Sequence, residues 1–332
     1  MKLSIAIVGL PNVGKSTLFK AITKNEVNIA NYPFCTIDPN IGVVAVPDER
    51  LDKLAEMSRS KKKVPAIVEF YDVAGLVKGA NKGEGLGNQF LSHIRETQAI
   101  VQVLRCFPAG EIIHVENSVD PIRDLEIINT ELALKDLETI DKSSRRIEGE
   151  AKSGKKEAIK ELEILQQAKD KLSRNQLITD LKDEPIIKNL QLLCAKTQMY
   201  LLNGKLEDVN ENIKKRIQEL GAQYVIADLS NPGEAIHEVI RKAYAVLNLI
   251  SFFTTGEDES RAWTIENGWK APQAAGTIHG DFEKKFIRAE TINWQKLLDV
   301  KSWTTAKQKG MLRSEGKEYF VQDGDVLEIK HS

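Results

Sequence analysis

One segment near the start of the chain carries residues whose order suits phosphate chemistry. Two glycines separated by four residues are followed directly by a lysine and a serine, in the sequence Gly9-Leu10-Pro11-Asn12-Val13-Gly14-Lys15-Ser16-Thr17. Glycines let backbone N–H groups turn towards phosphate oxygens, and the lysine reaches the β- and γ-phosphates. The spacing predicts a P-loop that binds a nucleoside triphosphate through Asn12, Val13, Gly14, Lys15, Ser16 and Thr17.

Oxygen-bearing side chains at three positions suit the Mg²⁺ ion that accompanies such a nucleotide. Ser16 follows the loop lysine, and Asp72 opens an Asp-x-x-Gly sequence that ends at Gly75. Thr36 lies between the first predicted helix and the second predicted strand, where a switch threonine reaches the metal in related NTPases. We therefore expect Ser16, Thr36 and Asp72 at the metal, and the Gly75 N–H at the γ-phosphate.

The residues after the fifth predicted strand bear on the choice of base. Guanine-selective proteins use Asn-Lys-x-Asp at this point, and the aspartate accepts hydrogen bonds from the guanine ring. Here the sequence is Asn203-Gly204-Lys205-Leu206. A leucine side chain has no hydrogen-bond acceptor, so a strict GTPase is disfavoured and a site that accepts ATP is favoured.

Hydrolysis needs a group that positions water, and the usual one is missing from its expected place. The residue after the Asp-x-x-Gly sequence is Leu76, where a glutamine would polarise the water. Another side chain, a potassium ion or a partner must then assist. His114 follows the fourth predicted strand and is the candidate, although most lone histidines are structural or merely exposed. The glycine-rich stretch 77–87 is interpreted as a switch that becomes ordered with nucleotide.

Alternating strands and helices must position these residues. Apolar, β-branched runs predict strands at 3–8, 41–46, 66–71, 100–106, 199–203 and 223–228, and helices lie between most of them. This alternation predicts a doubly wound α/β fold, and the strand and helix around the glycine loop argue against a chance turn. A charged region from about Asp124 to Lys196 repeats leucines and isoleucines at helical spacing and is interrupted at 152–155. It predicts two antiparallel helices that form an arm.

The last part of the chain has the composition of a small α+β domain. Short aromatic and β-branched segments lie at 262–265, 318–321 and 325–329. Asp323-Gly324 separates the last two segments and predicts a hairpin-like turn between two strands.

The composition limits the kinds of partner. The chain has 332 residues, which indicates two or three domains, and a formal net charge of −1, which argues against a nucleic-acid-binding polycation. Its three cysteines, Cys35, Cys106 and Cys194, are widely separated and are interpreted as free thiols. No apolar run is long enough to span a membrane and no signal peptide is evident. We expect a cytoplasmic protein without a membrane partner and without sequence-specific DNA binding.

Five segments together resemble the YchF/Obg-like ATPase family, and the resemblance extends from end to end of the chain. They are residues 9–17, 31–40, 72–80, 83–90 and 271–279. The resemblance implies a G-protein-like P-loop NTPase domain with a helical coiled-coil insertion and a C-terminal TGS domain of β-grasp shape. It also implies a preference for ATP over GTP, slow hydrolysis to ADP and phosphate, and binding to the ribosome.

The resemblance also implies roles for individual residues. A histidine at the position of His114 is proposed to assist hydrolysis, and Asn12 matches an asparagine that supports potassium dependence in related NTPases. Asn203 and the Gly204 backbone are implied to contact the adenine, with Glu207 one residue later than the usual base-reading glutamate.

We predict three domains. A P-loop nucleotide-binding domain is formed by residues 1–123 and 197–248, the helical coiled-coil insertion by 124–196, and the TGS-like domain by 249–332. The leading hypothesis is an ATP-hydrolysing switch that acts on ribosomes. Two alternatives stay open: a GTPase of the same fold, and a nucleotide-gated binding module with negligible hydrolysis.

Overall fold

A computed structural model describes residues 3–24, 40–73, 85–108 and 118–332, and of residues 85–90 only the backbone. Twelve strands lie within these residues: β1 Ser4–Val8, β2 Ile41–Ala45, β3 Lys62–Val64, β4 Ile67–Asp72, β5 Ala99–Arg105, β6 Thr197–Asn203, β7 Gln223–Ala227, β8 Leu249–Thr255, β9 Glu259–Glu266, β10 Phe286–Asn293, β11 Arg313–Glu315 and β12 Asp325–His331.

The same residues contain twelve α-helices: α1 Lys15–Thr23, α2 Glu49–Ser58, α3 Gly85–Glu96, α4 Pro121–Lys152, α5 Lys156–Ser173, α6 Pro185–Leu190, α7 Glu211–Glu219, α8 Ala235–Val246, α9 Ala271–Ile278, α10 Gly280–Lys284, α11 Trp294–Val300 and α12 Trp303–Gln308. In the part of the chain that is described, none of them is long and apolar enough to cross a membrane.

The first sheet has six strands in the order β2-β4-β1-β5-β6-β7. The strand pairs from β4 to β7 are parallel, and every residue of β1 and β5 is buried. Strands covered on both faces by helices are buried along their length and are mostly apolar. The register pairs Arg105 with Asn203, so β5 and β6 end side by side. This sheet confirms the doubly wound α/β prediction.

The predicted helical arm is formed by α4 and α5. Asp120 caps α4 by accepting hydrogen bonds from two backbone N–H groups, and Pro121 occupies the first turn, where a missing N–H is tolerated. The chain reverses through residues 153–155, where Gly154 has a φ of 85°, and α5 then packs against α4. The reversal lies at the interruption that the sequence predicts.

The second sheet is mixed and has the order β11-β10-β12-β8-β9-β3. Helix α9 contributes Ala271, Ala274 and Ala275 to the core beneath it, where they meet Phe252 and Phe286. Small alanine side chains let the helix backbone approach the larger aromatic rings. This domain agrees with the α+β prediction for the end of the chain.

The predicted hairpin at Asp323-Gly324 is wrong. Residues 318–321 form no strand, and β12 instead pairs antiparallel with β10 and parallel with β8. The Asp323 carboxylate accepts hydrogen bonds from the Ser251 N–H at 2.9 Å and from Arg50 Nη1 at 2.6 Å. The Gly324 N–H donates to the Ser251 carbonyl at 2.9 Å. These contacts bind the turn to β8, so β12 enters the sheet beside β8 rather than folding back on 318–321.

The described residues divide into two compact units. The first unit contains residues 3–24, residues 40–42 and the described residues between 69 and 239. The helical arm lies in the last of these ranges. The second contains 43–68 and 240–332. In the second unit β3 adds to the sheet beside β9, and α2 packs against β8 and β9.

Candidate functional site

The glycine loop links the buried strand β1 to the start of α1. Gly9 must be glycine because a Cβ there would lie 2.7 Å from the Val103 carbonyl oxygen. Gly14 has a φ of 107°, and its Cβ would lie 2.5 Å from Asn203 Nδ2. No side chain caps the start of α1. The loop therefore packs closely on its neighbours and leads into a helix N-terminus of the kind that binds phosphate.

Lys15 is buried at this loop. Its Nζ donates a hydrogen bond to the Leu10 carbonyl at 2.8 Å. Lys15 as a whole is only 8% exposed. Burial lowers the pKa of Lys15 to about 8, and the carboxylate of Asp72 acts in the opposite direction. The ammonium group is thus held in a partly dehydrated position where an anion would be a stronger partner than a carbonyl.

Asp72 ends β4 and meets the loop through Ser16. Burial raises the pKa of Asp72, while the charge of Lys15 and a hydrogen bond with the Ser16 side chain lower it. A carboxylate and a hydroxyl brought together in this way are oxygen ligands of the kind Mg²⁺ takes alongside phosphate oxygens and water. The Ser16 and Asp72 side chains therefore fit the predicted magnesium site.

The Asn203 amide connects the P-loop to the segment that follows β7. Its Nδ2 donates to the Val13 carbonyl at 2.8 Å, and its Oδ1 accepts from the Leu229 N–H at 3.1 Å. The second Nδ2 hydrogen is available to another acceptor. Gly204, next along the chain, donates to the Ala227 carbonyl at 3.1 Å. Asn203 thus holds the phosphate-binding loop against the loop that follows β7.

The P-loop and the segment after β6 line one cavity of about 710 Å³, and Asp72 is not among the residues that line it. Most of the predicted nucleotide-binding residues face it, namely Asn12, Gly14, Lys15, Ser16, Thr17, Asn203 and Gly204. Val13 is buried behind the loop and contributes its carbonyl to Asn203. The volume is within the range of small-molecule sites. The structure therefore brings the loop and the segment after β6 together at one site.

Other lining residues were not predicted from the sequence. They are Phe107, Pro108, Lys205, Asp208, Asp228, Leu229 and Ser230. Glu207, named above only as a displaced base-reading glutamate, also lines the cavity. All of them follow the carboxyl ends of β5, β6 or β7, which is where open parallel sheets bind ligands. Strand order was the signal that could have identified them. Thr36, Gly75, Leu76, His114 and residues 77–84 lie outside the described residues.

Comparisons with known proteins bear on the whole chain. Residues 4–142 match the family model "50S ribosome-binding GTPase", and residues 249–332 match "YchF-GTPase_C", described as a protein of unknown function. The chain is 45% identical to "Ribosome-binding ATPase YchF" of Bacillus subtilis, covering 99% of both chains. It is 45% identical to the Escherichia coli O157:H7 protein of the same name, covering 98% of both.

A solved structure supports the same relationship. The chain superimposes on the Schizosaccharomyces pombe YchF GTPase with a TM-score of 0.85 and 42% identity, covering 99% of this chain and 98% of the other. The resemblance inferred from the five sequence segments is thereby confirmed. The bacterial relatives carry the name ATPase and the fission yeast protein the name GTPase.

Proposed function

We propose that this chain, which belongs to the YchF family, is an ATP-hydrolysing switch that associates with the ribosome. Its relatives named "Ribosome-binding ATPase YchF" in Bacillus subtilis and Escherichia coli O157:H7 are 45% identical to it. The observation that carries this proposal is the cavity shared by the P-loop and the ends of β5, β6 and β7. Phosphate ligands and base-contacting groups meet there in one space. A nucleoside triphosphate with Mg²⁺ fits the chemistry of the phosphate end, which the P-loop forms, and of the base end, which the segments after β5, β6 and β7 form.

At the phosphate end, Lys15 would donate to the β- and γ-phosphates, and the N–H groups of residues 12–17 would surround their oxygens. Lys15 is already held at the loop by the Leu10 carbonyl. The added negative charge of a triphosphate would favour the protonated form of the lysine and would oppose the effect of burial on its pKa.

Ser16 and Asp72 would hold the magnesium ion, and Thr36 would complete the set of protein ligands. When bound, the ion neutralises charge on the phosphates and orients them. Gly75 would report the γ-phosphate through its backbone N–H. His114 would assist hydrolysis, and Asn12 would support a potassium ion at the loop.

At the base end, Asn203 and Gly204 would contact the adenine. The acid that normally selects guanine is replaced by Leu206, whose side chain is 68% exposed. A carboxylate from that position is therefore not available to accept hydrogen bonds from guanine. We propose that ATP is preferred over GTP and is hydrolysed to ADP and phosphate.

Parallel titrations with ATP and GTP, each with Mg²⁺, test the base assignment. We expect a lower Kd for ATP than for GTP. Clearly tighter GTP binding would instead support a GTPase of the same shape, which the name of the fission yeast relative favours.

The ribosome is the proposed macromolecular partner, and this partner places the protein in the cytoplasm. In this view the nucleotide is bound within 1–123 and 197–248, while the helical arm of 124–196 and the domain of 249–332 offer binding surfaces. Co-sedimentation with ribosomes at low salt, in the ATP-bound, ADP-bound and nucleotide-free states, is the test. Absence from the ribosome pellet in all three states would refute the partner.

A further inference from the structure

Arg105 is a fully buried cation beside Phe107 and Pro108, two residues that line the cavity. It is the last residue of β5 and is 0% exposed. Its guanidinium carbon lies 4.2 Å from the centre of the Phe107 ring, and its Nη2 donates to the Pro108 carbonyl at 3.2 Å. A longer contact of 3.4 Å joins Nε to the Phe107 carbonyl. One side chain thus contacts both the ring and the backbone of the next two residues.

Burying an arginine is unfavourable unless charge and hydrogen bonds compensate for the lost water. Burial lowers the pKa of Arg105, and the carboxylate of Asp124 raises it. Asp124, near the start of α4, is itself 0% exposed and accepts a hydrogen bond from Arg123 at 3.0 Å. The Asp124 carboxylate therefore offsets part of the cost of burying the charge, and the guanidinium contacts described above hold Phe107 and Pro108.

Phe107 and Pro108 form a wall of the cavity beside the segment that follows β6. The N–H groups of Cys106 and Phe107 both donate to the Asn203 carbonyl, at 2.8 and 3.2 Å. A Cβ on Gly204 would lie 3.1 Å from the Phe107 nitrogen. The wall therefore lies at the end of the cavity that we assign to the nucleoside rather than to the phosphates.

We propose that Arg105 is a positioning residue for the nucleoside part of the substrate, because it fixes the Phe107–Pro108 wall next to Asn203 and Gly204. This inference rests on the proposed nucleotide binding. An aromatic ring that is already held in place loses little freedom when a base packs near it, which favours binding. The phosphate ligands, in contrast, do not depend on this wall.

The test compares two probes on the intact chain: ATP with Mg²⁺, and inorganic tripolyphosphate with Mg²⁺, which has no nucleoside. Arg105→Met removes the hydrogen bonds and the charge and keeps an unbranched apolar side chain. We expect the Kd for ATP to rise about 5- to 30-fold, which corresponds to about 1 to 2 kcal/mol of binding free energy. The Kd for tripolyphosphate should stay within about twofold of wild type.

Two further variants separate positioning from general stability. Arg105→Lys keeps the charge but cannot stack or donate as a planar fork, so its ATP affinity should fall between those of wild type and Arg105→Met. It also carries the test if Arg105→Met does not fold. Arg95→Met is the control: Arg95 is a half-buried arginine that donates to the Leu190 carbonyl and to the Thr139 hydroxyl, both at 2.9 Å, and it does not line the cavity. We expect it to leave both affinities unchanged.

Three outcomes would overturn the inference: unchanged ATP affinity in a folded Arg105 variant, equal weakening of both probes, or the same ATP defect in Arg95→Met. Failure of the wild-type protein to bind ATP would refute the proposed function instead. Binding of the wild-type protein is measured first, so the two failures are distinguishable.

Discussion

The Asn203 amide is the connection whose removal best tests the architecture of the cavity. Asn203 is 4% exposed, and it bonds the Val13 carbonyl at 2.8 Å and the Leu229 N–H at 3.1 Å. Asn203→Ala removes both hydrogen bonds, so the Val13 carbonyl and the Leu229 N–H lose their amide partner. At about 1 to 2 kcal/mol for each, we expect the free energy of unfolding to fall by about 2 to 4 kcal/mol.

The same substitution should also weaken nucleotide binding. Val13 belongs to the phosphate-binding loop, and Leu229 lines the cavity after β7, so the loss of the bridge releases one side from the other. We expect the Kd for ATP with Mg²⁺ to rise at least about tenfold, which corresponds to about 1.4 kcal/mol. Isothermal titration measures the affinity, and urea denaturation measures the free energy of unfolding.

A second buried asparagine provides the control. Asn129 on α4 is also 4% exposed and accepts a hydrogen bond from Gln102 Nε2 at 2.8 Å, but it does not line the cavity. Asn129→Ala should lower the free energy of unfolding by about 1 to 2 kcal/mol without changing ATP affinity. The reasoning fails if Asn203→Ala binds ATP as the wild type does, or if Asn129→Ala weakens binding equally.

Three other perturbations follow from the site and the fold. Lys15→Ala should weaken Mg-ATP binding by about a hundredfold or more in titrations, because it removes the buried charge that we propose contacts the phosphates. A change below tenfold would contradict this role. His114→Ala should slow ATP turnover in a phosphate-release assay while ATP affinity stays unchanged; wild-type turnover would remove His114 from the site. Asp136 accepts hydrogen bonds from the Leu193 and Cys194 N–H groups, and burial raises its pKa to about 6. Because its pKa is higher in the folded than in the unfolded protein, Asp136 should add to the free energy of unfolding below about pH 4. This contribution, about 3 kcal/mol, should be lost as the pH rises through 6. Urea denaturation across this range should show the loss in the wild type and not in Asp136→Asn.

Local sequence signals were sufficient to predict the first sheet and the P-loop, which lines one side of the cavity. A P-loop is contiguous, and its glycines are required by close approaches such as the one between Gly9 and the Val103 carbonyl. The helical arm was also predictable, because apolar spacing along α4 and the break at 153–155 are local features. These elements depend on neighbouring residues in the chain, which a single sequence displays directly.

The second unit was harder to predict because long-range pairing determines it. Helix α2 and strand β3 were not assigned from the sequence, although β3 pairs with β9 and the Ser60 hydroxyl donates to the Gly256 carbonyl at 2.6 Å. The turn at Asp323-Gly324 has the composition of a hairpin, but Arg50 and Ser251 bind it to another strand. Turn composition indicates where a chain bends and does not identify the strand beside which it continues.

The base end of the cavity shows the same limit at the level of function. The motif directs attention to Leu206, which is 68% exposed and does not line the cavity, whereas Glu207 and Asp208 do. The Asp208 carboxylate already accepts a hydrogen bond from the Lys205 N–H at 2.9 Å, which leaves less of its capacity for a base. On the proposed assignment, recognition of the base depends on the Asn203 amide, on nearby backbone groups and on the Phe107–Pro108 wall next to Arg105. We expect such a site to select between bases by the shape and spacing of several strand ends. For this reason the leucine at position 206 does not by itself determine the ratio of ATP to GTP affinity.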